Sequence, residues 1–179
     1  MKRASILAVV LGFFVAGCGS GTTAPSTTTP PTPTAPANDN VIFTAVLLPA
    51  NEVPPITTAE STASGTVTLV FVTTKDSTGN ITSAVGTASV TMQGFPAGSV
   101  VTLAHIHTGA AGVGGGVFIG FVPSGNVPAA NGAASFSQTT NVTADQLAAL
   151  MNNPAGYYFN VHTQQNSGGV MRGQLVRTP

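Results

Sequence analysis

Charge is scarce in this chain. Charged residues make up 6% of 179, five basic and five acidic, for a formal net charge of zero. Over residues 41–179 the charged set is Lys75, Arg172 and Arg177 against Glu52, Glu60, Asp76 and Asp145. Such a set forms no basic patch, which argues against nucleic acid as a partner. It also offers no paired carboxylates for glycoside hydrolysis. Cysteine occurs once, as Cys18, so an intramolecular disulfide is impossible. The sequence has no Gly-rich phosphate loop ending in Lys-Ser/Thr and no G-x-S-x-G elbow. Histidine occurs three times. Two lie in AHIHTGAAGVGGG, residues 104–116, and the third in GYYFNVHTQQ, residues 156–165.

The N-terminal region reads as export and attachment. Lys2 and Arg3 form a charged start, and Ile6 to Val15 is an apolar run shorter than the 20 or so residues of a membrane span. Val-Ala-Gly-Cys, 15–18, follows and resembles the bacterial lipoprotein box. That resemblance implies a signal peptide over 1–17 and acylation of Cys18, which would leave no free thiol to act as a nucleophile. An ordinary cleaved signal or an uncleaved anchor is the alternative. Residues 19–38, GSGTTAPSTTTPPTPTAPAN, contain five prolines and no charge. A segment of this composition buries no apolar surface and is expected to be a disordered tether, reaching roughly 60 Å where it is extended. The expected organisation is therefore a leader (1–17), a lipidated cysteine with a Thr/Pro-rich linker (18–40), and one domain (41–179).

Within that domain the pattern is β. VIFTAVLL (41–48) is branched and apolar, and GTVTLVFVTT (65–74) places Val67, Leu69, Phe71 and Thr73 on one face. Residues 75–80, KDSTGN, read as a hairpin turn into ITSAVGTASVTMQ (81–93). Further strands are expected at 99–108, 116–122, 133–139, 157–163 and 170–176. One helix is expected near 144–152, where Thr143 and Gln146 form a capping box and Pro154 stops the helix. Many short strands with a single helix predict an all-β, antiparallel Greek-key sandwich or barrel.

Strand parity then places the histidines. His105 and His107 share a face about 6.7 Å apart, with Ile106 opposite them. In the later strand His162 shares a face with Tyr158 and Asn160, opposite Phe159 and Val161. The three imidazoles are expected on the outer face of a sheet, converging if the strands are neighbours. They would then be able to hold one copper or zinc ion at bonds of about 2.0–2.1 Å. Solvent-facing histidines without a metal are the simpler alternative. Arg172 by itself reads as a structural ion pair or a carbonyl clamp, and Glu52 as a structural hydrogen-bond acceptor.

Three motifs carry a family resemblance. H-I-H-x-G-x-x-G from His105, the later N-V-H-T (160–163) and R-G-Q-L (172–175), with FTAVLLPANEVPP (43–55) at the start, resemble the CHRD (chordin-type) domain. The resemblance covers nearly all of 41–179. One departure is GVMRGQL (169–175), where Val170 stands in place of that family's usual glutamate. The motif order also resembles copper–zinc superoxide dismutases. This second resemblance implies His105, His107 and His162 as copper ligands and Arg172 as the residue that guides the anion. A bridging fourth histidine, the zinc-site aspartate pattern and a disulfide are absent, so it implies at most a copper-only site. Two functions follow as expectations. One is a lipid-anchored metal module of a bacterial cell envelope, facing the periplasm or the exterior and acting on a small anion such as superoxide. The other is a non-catalytic extracellular interaction or adhesion domain whose protein partner the sequence does not name. Mass spectrometry of the mature protein should find an acylated Cys18 at its N-terminus, and a free, unmodified N-terminus at another residue would refute this expectation.

Overall fold

The structure, a computed structural model, describes residues 39–179. The leader, Cys18 and the linker up to residue 38 lie outside the described residues. The chain runs through β1 (Asn40–Leu47), β2 (Ser64–Lys75), β3 (Ile81–Gln93), β4 (Val100–Thr108), β5 (Val117–Gly120), β6 (Val127–Pro128) and β7 (Ala134–Thr143). It continues through α1 (Ala144–Asn152), β8 (Tyr157–Thr163), β9 (Met171–Gln174) and β10 (Val176–Thr178). Two antiparallel sheets result. One has the order β10-β1-β2-β3-β7, and the other the order β5-β4-β8-β9 with β6 beside β4. Of the two expected architectures the sandwich is the one formed, because the described strands divide into separate sheets rather than closing a barrel. At one corner Leu48 and Arg172 exchange backbone bonds of 3.2 and 3.3 Å, joining the end of β1 to β9.

Alternation builds the core. Val67, Leu69, Phe71 and Thr73 all point inward from β2, and Thr73 satisfies its hydroxyl by donating to the Asp39 carbonyl at 3.0 Å. Phe43 meets Phe71 edge-to-face with ring centroids 5.8 Å apart, and Phe121 and Phe159 pack from the second sheet. The helix starts as the capping box predicts. Gln146 N–H donates to Thr143 Oγ1 at 3.2 Å, and Thr143 N–H donates to Gln146 Oε1 at 3.1 Å. Leu147 and Leu150 are its buried face.

The strand expected at 170–176 is in fact two. Leu175 is buried, its N–H bonds the Tyr157 carbonyl at 3.0 Å, and the chain changes sheets there. R-G-Q-L is thus a corner motif. Arg172 reaches across to loops, Gln174 Nε2 lies 2.7–3.1 Å from the carbonyls of Gly109, Ala155 and Tyr157, and Gly173 allows β9 to cross β1. A Cβ on Gly173 would sit 2.1 Å from the Val46 carbonyl oxygen, which belongs to the backbone and has little freedom to move. Gly173→Ala should therefore destabilise the domain by about 3 kcal/mol or more, read as a lower urea midpoint at unchanged slope.

Candidate metal centre

β4 and β8 are antiparallel neighbours, with Leu103 opposite His162, His105 opposite Asn160 and His107 opposite Tyr158. Ile106, Phe159 and Val161 are fully buried in the sandwich core, so the alternate residues face away from it. His162 is the diagonal neighbour of His105, within reach of a long side chain. All three histidines come together. Ring centroids are 5.5 Å apart for His105 and His107, 5.1 Å for His105 and His162, and 6.0 Å for His107 and His162. One nitrogen from each ring lies within 4.8 Å of the other two.

The outer face is not open, as parity alone suggested. His107 is only 8% exposed, His162 6% and Arg172 2%, and Tyr158 and Asn160 are buried as well. Loops cover the sheet and bind its polar side chains through backbone carbonyls. His107 Nδ1 lies 3.1 Å from the Gly115 carbonyl oxygen, and His162 Nδ1 lies 2.9 Å from that of Ser167. A carbonyl only accepts, so both rings carry the proton on Nδ1 and keep the lone pair on Nε2. His162 Nε2 is 3.3 Å from His105 Nδ1, while His107 Nε2 is buried without a partner. Two nitrogens on one tetrahedral ion with bonds of 2.0–2.1 Å stand about 3.3 Å apart. The His105–His162 pair meets that spacing, and the three histidines together could hold a metal ion, with the unpartnered Nε2 the free nitrogen of His107.

The glycine run after His107 now has a reason. A Cβ on Gly115 would fall 1.7 Å from the Thr108 carbonyl oxygen, so only glycine brings this carbonyl back to His107. The Gly115 amide also donates to the Tyr158 hydroxyl at 3.3 Å. Tyr158 stacks on His107, with centroids 5.1 Å apart and planes 8° from parallel. Arg172 covers the other reach of Tyr158, its guanidinium carbon 4.4 Å from the ring centroid. Arg172 donates from Nε to the Asn51 carbonyl at 2.6 Å and from Nη1 to the Val113 carbonyl at 3.1 Å. This is the carbonyl clamp, and Nη2 is left as the one buried guanidinium nitrogen without a partner.

Tyr158 and Asn160 were not singled out from the sequence. Their signal was available, since both share the His162 face of β8. Glu52 differs from its expected role, because its buried Oε1 accepts no hydrogen bond.

Burial disfavours the charged form of His105 and His162. Burial pushes His105 down to about 4, helped by neighbouring His162 and His107. Burial also lowers His162, against the opposing bond to Ser167. Burial pushes Glu52 up to about 7, although the Arg172 charge pulls it back. These shifts act on stability in opposite directions. The folded histidines bind fewer protons than the unfolded ones, so their term lowers stability as pH falls from 6.5 towards 4. Folded Glu52 binds more protons than unfolded Glu52, so its term lowers stability as pH rises from 4.5 through about 7. Glu52→Gln should remove the second term, and denaturant titrations across pH 4.5–7 should then show a steeper rise of stability with pH than in the parent protein.

No curated protein matches the chain. The CHRD domain profile matches residues 43–175, from β1 to the corner after β9 and across all three histidines. The chain belongs to the CHRD domain family.

Proposed function

We propose that the domain binds copper through His105, His107 and His162, and that it works outside the cytoplasm on a lipid anchor at Cys18. The observation that carries the reading is the convergence of three ligand nitrogens within 4.8 Å, two of them on rings whose tautomer a backbone carbonyl fixes. Three neutral imidazoles without thiolate or carboxylate suit copper and zinc alike, and copper stands highest in the affinity order of divalent first-row metals.

Copper, when bound, supplies one-electron chemistry for which superoxide is both donor and acceptor. The chain's own residues supply orientation and access. His107 and His162 are buried and pinned, while His105 is the least buried of the three and leaves an approach for a small anion. Arg172 adds a buried positive charge one strand away, across β8, which favours anions, and the Glu52 carboxylate opposes it. A zinc-loaded site has no redox cycle and leaves a structural or hydrolytic role.

The Val-Ala-Gly-Cys segment supports attachment to the cell envelope, with the Thr/Pro-rich linker as the spacer. Among the described residues no helix is long and apolar enough to cross a membrane. Purified protein should take up one copper per chain, with nitrogen hyperfine structure in its electron paramagnetic resonance spectrum. His107→Ala should weaken that binding by more than about 100-fold. Stoichiometric uptake of zinc with no uptake of copper would refute the redox reading.

A further inference from the structure

We propose that Glu60 is a positioning residue of the metal centre, holding the turn that fixes the His162 tautomer; this rests on the copper-binding reading. Glu60 lies between β1 and β2, in the 3-10 turn Ala59–Thr62, and its side chain is completely buried. Its Oε2 takes two short hydrogen bonds, from Thr163 Oγ1 and from Asn166 Nδ2, both at 2.6 Å. These two donors flank the site. Thr163 follows His162 directly, and Asn166 precedes Ser167, whose carbonyl receives the His162 Nδ1 proton at 2.9 Å.

The turn between them is tied to the same knot. Asn166 N–H donates to Thr163 Oγ1 at 3.0 Å, which commits the Thr163 hydroxyl hydrogen to Glu60. The Asn166 carbonyl accepts from the N–H groups of Thr163 at 3.2 Å and Gly169 at 3.1 Å. The second Asn166 amide hydrogen goes to Thr58 Oγ1 at 3.0 Å. Asn166 thus uses its N–H, its backbone carbonyl and both amide hydrogens to place one turn, and Glu60 is the acceptor that anchors the arrangement to another part of the chain.

The consequence reaches His162 through Ser167. If the turn relaxes, the Ser167 carbonyl leaves Nδ1, the proton is free to move to Nε2, and the lone pair no longer points at His105. Outer partners that orient a ligating histidine typically change metal affinity by about 10–100-fold when removed. A purely structural Glu60 would change stability and leave the tautomer and the affinity alone.

The test uses two variants of the purified protein. Glu60→Gln sets an amide against the two donors, and Asn166→Ala leaves the carboxylate in place but removes the side-chain bonds that tie Asn166 to Glu60 and Thr58. Long-range proton–nitrogen spectra of metal-free protein report each imidazole tautomer, and copper titration reports affinity. The parent should show His162 protonated on Nδ1. Both variants should show mixed His162 tautomers, an unchanged His107 tautomer and a copper dissociation constant raised about 10–100-fold. Unchanged His162 signals in folded Glu60→Gln and Asn166→Ala would overturn the proposal. If Glu60→Gln does not fold, Asn166→Ala decides it. If the parent binds no copper, the copper-binding reading fails by itself, and the metal-free spectra still decide whether Glu60 sets the tautomer.

Discussion

The register between β4 and β8 is the constraint on which the rest depends. Strand side chains alternate, so a slip of β4 by one residue against β8 would put Ile106 outside and His105 and His107 in the core, away from His162. The apolar residues forbid that slip. The requirement that buries Ile106 against the opposite sheet therefore also sets His105, His107 and His162 on one surface. A bulge in β4 between Val101 and Leu103 sits beside the His162 contact and switches the inward face of β4 from Val101 to Ala104 and Ile106, which leaves His105 and His107 on the side of His162.

The second layer above this sheet accounts for the chain's use of charge. Of the seven charged residues between 41 and 179, three are buried: Glu52, Glu60 and Arg172. A low charge count in this protein does not mean a purely apolar interior. Charged groups hold loops onto a polar sheet face, and backbone carbonyls do much of the pairing. A carbonyl is a pure acceptor, fixed by the strand or turn that carries it. It can therefore set an imidazole tautomer or hold a guanidinium without adding another ionisable group. Arg172 shows the arrangement most fully, bonded to two loop carbonyls and stacked on Tyr158, which in turn stacks on His107.

Much of this was legible in the sequence, and the reasons for the exceptions are physical. β1 to β4, β8 and α1 follow from alternation, the 75–80 turn and the Thr143–Gln146 box, all of which are local signals. β6 is two residues long and carries no periodicity to read. The break at Leu175 depends on which sheet accepts its N–H, which is a tertiary matter. The three histidines were legible because parity and family motif agreed. Their burial was not, since polar residues on alternate positions normally mark a solvated face. Glu60 gave no signal at all. Its partners lie 103 and 106 residues away, and nothing in TTAEST announces them.

The lowered basicity of His105 and His162 and the site's fit to a cation have a common origin. Loops that cover the sheet remove water from the rings, and burial is the largest force lowering His105 and His162. The same cover leaves His107 Nε2 with no donor, and an unsatisfied buried polar atom costs about 1–3 kcal/mol. A cation shared by the three lone pairs satisfies all of them at once. A ligand that binds only the folded chain stabilises it by about 4 kcal/mol at a thousand times its dissociation constant. The loops that make the site dry thus couple cation binding to the stability of the fold, through the Gly115 and Ser167 carbonyls that hold two of the three rings.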